Sequence, residues 1–298
     1  MRVLHIDSGK QMRGGQWQSL YLMVGQKTIN WDPFLLAPSG SPLLAEARKR
    51  GVTAEPLHLW SVAKHSKQVD ITHAHDARSH TIAALAARSP FVVSRRVAFP
   101  LRTGWLSRWK YSKPRRFLAI SAYVASQLRD YGIPEERIGI VYDGVPVEPR
   151  NATQGDKLIT PAWDDPRKCA ALGIEAARIA GVPLLQSSNL QQDLASARAM
   201  LYLSEMEGLG SAALLAMSQG VPVIASKVGG LPEIVLPEKT GLLVNNDVQE
   251  IARAITRLMS DPALAQSLGK SARDTVRGGF TLADMALRTV REYKQALA

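Results

Sequence analysis

Cysteine is almost absent from this chain: among its 298 residues there is one, Cys169. An internal disulfide is therefore excluded, which is typical of a protein from a reducing compartment. Long apolar runs are absent as well. The longest run without a charged residue, 208–226, contains Gly, Ser, Gln and Pro, whereas a membrane span needs about 20 predominantly apolar residues. The sequence predicts a cytoplasmic protein without a spanning helix or a signal peptide.

Acidic residues are missing from one long stretch of the first half. Between Asp76 and Asp130 there is no acidic residue, but there are eleven basic ones. Residues 1–144 carry 21 Lys and Arg against 10 Asp and Glu, whereas residues 145–298 carry 16 of each. The whole net charge of +11 therefore belongs to the first half. Such asymmetry predicts a polyanionic partner that is met by one domain only.

Short apolar strands alternate with helical patterns along the chain, which is typical of parallel sheets covered on both faces. The first strand is predicted by "RVLHI", and a helix is predicted by "SPLLAEARKRG", with Ser41 as its N-cap and Gly51 just past its end. The Pro-rich polar stretch 146–157 predicts a linker. We therefore expect an α/β chain of two Rossmann-like domains facing a cleft, with ligands at the carboxyl ends of the strands.

The most informative motif is "SEMEGLGSAALLAMSQG", residues 204–220. It predicts a strand that ends near Ser204, a glycine-containing loop, and a helix that starts near Ser211 as its N-cap. Glycines allow close approach of the backbone, and a helix N-terminus favours negative charge, so a diphosphate would suit this loop. Glu207 could accept hydrogen bonds from sugar hydroxyls. The alternative is a helix cap with a solvated glutamate.

This motif resembles the C-terminal signature of glycosyltransferase family 4, the retaining nucleotide-sugar transferases of GT-B fold. The same family's pattern is followed in the first half by "RGGQWQSLYLM", "ITHAHD" and "AISAYVASQLRDYGIPEERIGIVYDGV", and in the second half by "DDPRKCAALGIEAARIAGVPL". The resemblance implies an N-terminal acceptor-side domain, 1–145, and a shortened C-terminal domain for the donor nucleotide, 146–280. It also implies that the last helix, 281–298, crosses back to the first domain.

The resemblance also implies site residues. Glu207 matches the glutamate that holds the donor sugar, and Lys168 matches the lysine that neutralises the diphosphate, with a helix-surface lysine as the alternative. Gly14 and Gly15 match a glycine loop near the diphosphate and the acceptor, or else form a tight strand-to-helix turn. His75 matches a first-domain histidine, or else is a core histidine. The expected catalytic residues are Glu207, Lys168 and His75. The expected donor contacts are Gly14, Gly15, Glu207, Gly208, Leu209, Gly210, Ser211 and Leu215.

Several positions depart from the family's pattern. The family's second glutamate, which binds the ribose, corresponds to Leu215, and the arginine that accompanies the lysine corresponds to Ala162. The glycine after the lysine is Cys169, and a first-domain histidine corresponds to Arg95 or Arg96. The second domain is also shorter by some tens of residues. These departures keep a second hypothesis open, a non-catalytic binding or scaffold protein with a degenerate donor site.

The segment 95–116, "RRVAFPLRTGWLSRWKYSKPRR", interleaves basic and aromatic residues. Trp and Tyr prefer the membrane–water interface, and Lys and Arg attract anionic head groups by about 1 kcal/mol each. Such a segment would lie on a bilayer rather than span it. A solvated basic loop whose aromatics pack on the core is an alternative. Nucleic acid is a competing polyanion, but without a nucleic-acid module we do not expect it as a partner. The expected acceptor or membrane face is Arg95, Arg96, Trp105, Arg108, Trp109, Lys110, Lys113, Arg115 and Arg116.

Spacing alone indicates no metal site. His73 and His75 lie two residues apart on one strand without further ligands nearby in sequence, and no Asp-x-Asp motif occurs. These absences agree with the resemblance, which implies a metal-independent enzyme with a nucleotide-sugar as donor substrate and no cofactor. The predicted function is hexosyl transfer, with retention, to a membrane-associated acceptor such as a lipid-linked saccharide or a lipopolysaccharide core. The expected location is the inner face of the cytoplasmic membrane.

Overall fold

The structure is a computed structural model that describes residues 1–101, 103–147, 155–163 and 165–298. Residues 148–154 of the predicted linker lie outside this described part of the chain. The described chain divides into two compact units. Unit 1 comprises Met1–Gly144 together with Leu282–Ala298, and unit 2 comprises Val145–Thr281.

Strands and helices alternate through most of the described chain. The strands are β1 (Arg2–Ile6), β2 (Asp32–Ala37), β3 (Thr53–Pro56), β4 (Ile71–Ala74), β5 (Phe91–Arg95), β6 (Arg116–Ala119), β7 (Ile138–Ile140), β8 (Lys157–Pro161), β9 (Leu184–Ser187), β10 (Ala197–Tyr202), β11 (Val223–Ser226) and β12 (Gly241–Val244). The helices are α1 (Gly14–Thr28), α2 (Pro42–Lys49), α3 (Leu59–His65), α4 (Ala77–Ala86), α5 (Trp105–Ser112), α6 (Ala122–Asp130), α7 (Ala170–Ile179), α8 (Leu190–Asp193), α9 (Ser211–Ser218), α10 (Val248–Ser260), α11 (Pro262–Arg277) and α12 (Leu282–Leu297).

Within the described residues, unit 1 is built on a parallel sheet of seven strands in the order β3-β2-β1-β4-β5-β6-β7. Right-handed crossovers between these strands place α3 to α6 on one face of the sheet and α1 and α2 on the other. The helix neighbours agree, because α3 packs against α4, α4 against α5, and α1 against α2. The arrangement is Rossmann-like, as the alternation of strands and helices predicts.

The last helix, α12, belongs to unit 1, as the resemblance implies. It packs against α1 and also contacts β5 and β6. The approach to α1 is so close that a Cβ on Gly25 would lie 2.6 Å from the backbone oxygen of Leu282. Tyr293 of α12 has no exposed surface and joins the same buried cluster as Leu118 of β6. The end of the chain therefore completes the core under the first sheet.

Within the described residues, unit 2 is built on a parallel sheet of five strands in the order β12-β11-β10-β8-β9. β9 is an edge strand of this sheet, and its Leu185 is 37% exposed. The helices α7 and α10 pack together, and Leu158, Leu201 and Ile255 belong to the core of this unit. The sequence does not predict β8, because its apolar residues directly follow the polar run that indicates a linker.

Local sequence signals account for several helix ends. Ser41 caps α2 as predicted: its Oγ accepts a hydrogen bond from the backbone N–H of Leu44 at 3.3 Å, and Gly51 has φ 71°. The sequence does not predict α3 and α5, since both expose large apolar side chains and lack the pattern of a helix with one buried face. In the part of the chain that the structure describes, no helix has the length and apolar character to cross a membrane.

Candidate functional site

The donor loop, which we define as residues 203–210, connects β10 to α9 in unit 2. The N-cap of α9 is Gly210, with φ 104°, and Ser211 is the first helical residue. The expectation that Ser211 is the N-cap is therefore wrong, because the left-handed conformation of Gly210 leads directly into the helix. A Cβ at Gly210 would lie 2.7 Å from Leu231 Cδ2. Only glycine fits both this backbone conformation and this space.

Hydrogen bonds from neighbouring strands hold the start of the donor loop. Ser226 Oγ accepts from the backbone N–H of Ser204 at 3.0 Å and donates to Asn246 Oδ1 at 2.6 Å. Asn246 Nδ2 donates to the backbone oxygen of Ser204 at 3.0 Å. The carboxyl ends of β10, β11 and β12 are thereby tied together. Sequence reasoning missed Ser226 and Asn246, because a serine and an asparagine at strand ends form no recognisable motif.

A second loop packs against the backbone of Glu207. The N–H of Gly230 donates to the backbone oxygen of Glu207 at 3.1 Å. Gly229, with φ 55°, approaches the same oxygen so closely that a Cβ there would lie 1.9 Å from it. The Glu207 side chain therefore starts from a fixed position.

Lys168 reaches the donor loop from a single turn of 3₁₀ helix that follows β8. The side chain of Arg167 donates hydrogen bonds to the carboxylate of Asp165 and lowers the pKa of Asp165 to about 2. The N–H of Glu205 donates to the backbone oxygen of Arg167 at 2.8 Å, which connects this turn to the donor loop. Cys169 follows in the left-handed region with φ 50°. This conformation explains why a glycine is expected there from the resemblance.

Lys168 and Glu207 meet directly. Lys168 Nζ donates to Glu207 Oε2 in an ion pair, although the two residues are 39 positions apart in sequence. Their side chains are 17% and 15% exposed. The N–H of Gly208 donates to the other carboxylate oxygen, Oε1, at 3.1 Å. Glu207, which the resemblance assigns to the donor sugar, is therefore hydrogen-bonded directly to Lys168, which the resemblance assigns to the diphosphate.

Two aromatic side chains complete this arrangement. Tyr202 is 3% exposed, and its hydroxyl donates to Glu207 Oε2 at 2.8 Å. Lys168 Nζ lies 5.0 Å from the ring centre of Trp163 and 5.5 Å from that of Tyr202, within the range of cation–π attraction. We call Trp163, Lys168, Tyr202 and Glu207 the donor-site cluster. Sequence reasoning missed Tyr202, because it stands in an apolar strand and has the pattern of a core residue.

The two predicted leucine contacts differ in exposure. Leu209 has no exposed surface, and its contact with the donor stays a prediction. Leu215 is half-buried, whereas its neighbours Leu214 and Ala216 are fully buried. Leu215 therefore lies at the margin of the core, where a polar group would keep some contact with water.

In unit 1, the loop after β1 enters α1 through Gly14 and Gly15. Neither glycine has a positive φ. A Cβ at Gly14 would meet nothing within 4 Å, and one at Gly15 would meet only Arg96 Cδ, at 4.0 Å. Backbone geometry therefore does not require glycine here, which weakens the tight-turn alternative. The first turn of α1 contains no acidic residue, so the N-terminal end of this helix favours an anion.

His75 is buried together with His5 and His73 at neighbouring strands of unit 1. His5 Nδ1 and His75 Nε2 lie 2.7 Å apart, and His5 Nε2 lies 2.8 Å from Gln26 Oε1. The buried Nδ1 of His75 has no hydrogen-bond partner among the residues that the structure describes. Sequence reasoning missed His5 because this histidine comes from a different strand, β1, which the sheet places beside β4.

The hydrogen bonds of this histidine cluster oppose a metal ion. One nitrogen from each ring lies within 4.8 Å of the others, and the described residues hold no other such group of three. Both ring nitrogens of His73 are already used, by Tyr293 Oη at 2.6 Å and by Ser94 Oγ at 2.8 Å. Burial, followed by nearby histidines and Arg96, holds the pKa of His73 and His75 well below the usual value. We therefore interpret the cluster as a neutral hydrogen-bond network.

Two arginines of the predicted membrane face point into the protein. Arg96 pairs with Asp143, and its side chain is 12% exposed. Arg116 pairs with Glu292 of α12, and its side chain is 13% exposed. Arg96 and Arg116 are therefore not part of an exposed membrane face, because each pairs with a carboxylate far away in sequence, and a contact with an acceptor stays a prediction. Arg95 is half-buried and donates to a nearby backbone oxygen.

Helix α5 exposes the rest of the predicted face. Trp105, Leu106 and Trp109 are 78%, 60% and 37% exposed, and α5 has no buried residue. Trp105 and Trp109 therefore do not pack on the core, whereas Tyr111 of the same helix is half-buried and stacks on the buried ring of Phe117. Lys110 is half-buried and donates to the backbone oxygen of Ala77 at 2.7 Å. We define the aromatic-basic face by its exposed members: Trp105, Leu106, Arg108, Trp109, Lys113 and Arg115.

Exposed apolar side chains continue beyond α5. Leu59 and Trp60 of α3 are 55% and 64% exposed, and Leu85 of α4 is 59% exposed. Because α3 packs against α4, these side chains lie on two neighbouring helices, and α4 in turn packs against α5. Sequence reasoning missed them, since they are not interleaved with a run of basic residues.

Comparison with known proteins finds relatives of both units. Residues 27–149 match the family model described as Glycosyltransferase Family 4, and residues 181–275 match the one described as Glycosyl transferases group 1. Alpha-maltose-1-phosphate synthase from Mycolicibacterium smegmatis is 32% identical over 122 residues, which are 39% of this chain and 32% of the relative. Across four such curated relatives, the match spans 18% to 44% of the relative's own length.

Solved structures share the fold at low sequence identity. The crystal structure of Anabaena Alr3699/HepE in complex with UDP and glucose has a TM-score of 0.84 and 15% identity, and the match covers 98% of both chains. The apo form of the lipopolysaccharide outer core galactosyltransferase WaaB has a TM-score of 0.70 and 16% identity, over 98% of this chain and 99% of that chain. At such identities the likeness shows the fold, a GT-B-type pair of Rossmann-like domains.

The buried histidines predict a loss of stability in mild acid. Burial lowers the pKa of His5 from 6.5 to about 4. Between these two pKa values the unfolded chain binds a proton at His5 that the folded protein does not bind. The contribution of neutral His5 to the free energy of unfolding is therefore fully present above pH 6.5 and decreases as the pH falls towards 4. His5 alone contributes about 3 kcal/mol to this loss. Urea unfolding at intervals from pH 7.5 to pH 4.5 measures the slope.

His58, which is exposed, supplies the control for this prediction. We expect His5→Gln to reduce the dependence of the unfolding free energy on pH by more than His58→Gln does. A free energy of unfolding that stays constant from pH 7.5 to pH 5 would contradict the burial of neutral histidines.

Proposed function

Because the chain belongs to the group 1 and family 4 glycosyltransferases, we propose that it transfers a hexose, with retention, from a nucleotide-sugar donor to a membrane-associated acceptor. The observation that carries this proposal is the contact between Lys168 and Glu207 beside the N-terminal end of α9. A diphosphate needs positive charge, and a sugar needs acceptors for its hydroxyls. The donor-site cluster supplies both.

The proposed mechanism depends on position and charge. Departure of the nucleoside diphosphate leaves negative charge, which Lys168 and the partial positive charge at the start of α9 stabilise. Glu207 accepts hydrogen bonds from the sugar and so fixes the reacting carbon. These groups need no metal to perform their parts. His75 is neutral near pH 7, because burial lowers its pKa, and it therefore contributes a hydrogen bond rather than a charge.

The charge of Lys168 is the first test of this site. Ala162 supplies no second cation, so we expect Lys168→Ala to weaken nucleoside-diphosphate binding by about 1.5–3 kcal/mol, the scale of a charge-assisted hydrogen bond. Calorimetric titration with UDP, GDP and their sugars measures the change.

Two controls accompany this titration. A nucleoside without phosphates should bind alike to both forms, and Lys239→Ala, which changes an exposed lysine of unit 2, should leave the affinity intact. Unchanged diphosphate affinity in Lys168→Ala would show that the donor diphosphate binds elsewhere.

The acceptor side of the proposal rests on the aromatic-basic face. Exposed tryptophans beside exposed Arg and Lys fit the boundary between anionic head groups and acyl chains. We therefore propose that unit 1 lies on the inner face of the cytoplasmic membrane and takes a lipid-linked saccharide or a lipopolysaccharide core as its acceptor.

Vesicle co-sedimentation tests the membrane proposal. We expect binding to anionic vesicles that weakens with salt, and that weakens further in the triple variant Arg108→Ala, Lys113→Ala, Arg115→Ala by up to about 1 kcal/mol per charge. The matched control removes three exposed lysines of unit 2, in the triple variant Lys227→Ala, Lys239→Ala, Lys270→Ala, and should retain binding. Equal binding to neutral and anionic vesicles would sink the proposal.

The rival proposal is a non-catalytic binding protein of the same fold. The residue that favours it is Leu215, since a carboxylate at this position could accept both ribose hydroxyls whereas leucine can accept neither. Leu215 is half-buried on α9, and helical side chains lean towards the N-terminus, where the ligand is expected.

Restoring a carboxylate separates the two proposals. We expect Leu215→Glu to fold nearly intact, because the position is not fully buried and the start of α9 favours negative charge. Donor binding should become tighter by roughly 1–3 kcal/mol through new hydrogen bonds. Melting temperature and donor affinity are measured together, with Leu215→Met as the control for repacking. A large drop in melting temperature without tighter binding would favour the non-catalytic protein.

A further inference from the structure

The donor-site cluster contains two aromatic side chains to which the proposed reaction assigns no task. Tyr202 ends β10 and is 3% exposed. A tyrosine hydroxyl at a buried position needs a polar partner. Here that partner is the Glu207 carboxylate, at 2.8 Å. A buried side chain of the sheet is therefore connected directly to the group that is proposed to hold the sugar.

The carboxylate of Glu207 is held at both oxygens. Oε2 accepts from Tyr202 Oη and from Lys168 Nζ, and Oε1 accepts from the N–H of Gly208 at 3.1 Å. Donors on both oxygens oppose rotation of the carboxylate. A carboxylate oxygen has more than one lone pair, so Oε1 can still accept a hydroxyl from a ligand.

The ammonium group of Lys168 is held in a similar way. Glu207 lies on one side, and the rings of Trp163 and Tyr202 lie 5.0 Å and 5.5 Å from Nζ. The two rings are nearly perpendicular, at 79°, with centres 6.2 Å apart. Lysine has a long flexible stem, and ordering it costs entropy when a ligand binds. Ring faces that attract the cation restrict this stem before the ligand arrives.

We propose that Trp163 and Tyr202 are positioning residues of the donor site. The hydroxyl of Tyr202 orients the Glu207 carboxylate for the sugar, and the Trp163 ring, with that of Tyr202, holds the Lys168 ammonium for the diphosphate. This inference rests on the proposed function, because it takes Lys168 and Glu207 as donor-binding groups. It assigns the two aromatics to different parts of the donor, which separates it from a purely structural role.

Calorimetric titration with UDP, UDP-glucose, GDP and GDP-mannose tests this assignment. Tyr202→Phe keeps the ring and removes the hydroxyl. Its affinity for the nucleoside diphosphate should stay within about twofold, while its affinity for the nucleotide sugar should fall about 3- to 10-fold, the range of one hydrogen bond. An equal loss for both ligands, or no loss for either, overturns the role of Tyr202.

Trp163 is tested with a conservative and a non-conservative variant. Trp163→Leu should lower the affinity for both the diphosphate and the nucleotide sugar about two- to fivefold, and Trp163→Phe should restore most of it. Melting temperatures of all variants report whether they fold. A loss that Trp163→Phe does not restore points to packing and overturns the cation–π assignment.

Amine acetylation of the ligand-free protein tests the geometry without any donor. Lys168 should react more slowly than Lys239, an exposed lysine of the same unit, which serves as the internal control. Trp163→Leu should raise the acetylation rate of Lys168, divided by that of Lys239, at least about twofold, the scale of a lost cation–π contact. If the wild-type protein binds none of the four nucleotides, the proposed function fails. If the ratio of rates does not change in Trp163→Leu, the positioning inference fails, whatever the nucleotides do.

Discussion

The ion pair between Glu207 and Lys168 is the interaction around which unit 2 is arranged. A carboxylate withdrawn from water costs several kcal/mol unless a cation and hydrogen-bond donors surround it. The turn after β8 brings the cation, the close approach of Gly229 fixes the backbone, and Ser226 ties the neighbouring strand end to the donor loop. Loops that follow several parallel strands thus converge on the Glu207 carboxylate, at the carboxyl ends of the strands, where such folds bind ligands. The ion pair that holds these loops together therefore consists of the two side chains that the proposed reaction uses.

Most of the sheet elements could be predicted, because a strand buried on both faces has a run of apolar residues and a helix between strands has one apolar side. The Ser41 cap and Gly51 could also be predicted, because the residues that begin and end a helix are chosen by their own local chemistry. The exceptions have physical causes. β8 begins where a polar run ends, so no pattern marks its first residue. Helix α5 buries none of its residues, and a helix without a buried face has no periodic signal to find.

The site residues that lie within one loop motif, such as Glu207 and Gly210, could be predicted from the sequence. The side chains that contact them from elements distant in sequence could not. The resemblance implied that Lys168 and Glu207 serve one donor, but it could not show that the two side chains touch. Tyr202 lies in an apolar strand, where sequence cannot distinguish a core tyrosine from a positioning one. Charge counting placed Arg116 on the surface, because its partner on α12 is 176 residues away. Long-range pairing is the information that composition lacks.

Unit 1 is discontinuous in sequence, and this has a consequence for synthesis on the ribosome. Its buried network needs Tyr293 beside His73, and its sheet needs Glu292 beside Arg116. Both partners belong to the last helix, whereas unit 2 is one continuous stretch, Val145–Thr281. Domains generally fold as they emerge. Here all seven described strands of unit 1 are translated before unit 2. Unit 2 nevertheless has all of its residues first, while polar groups of unit 1 lack their final partners until the last helix leaves the ribosome.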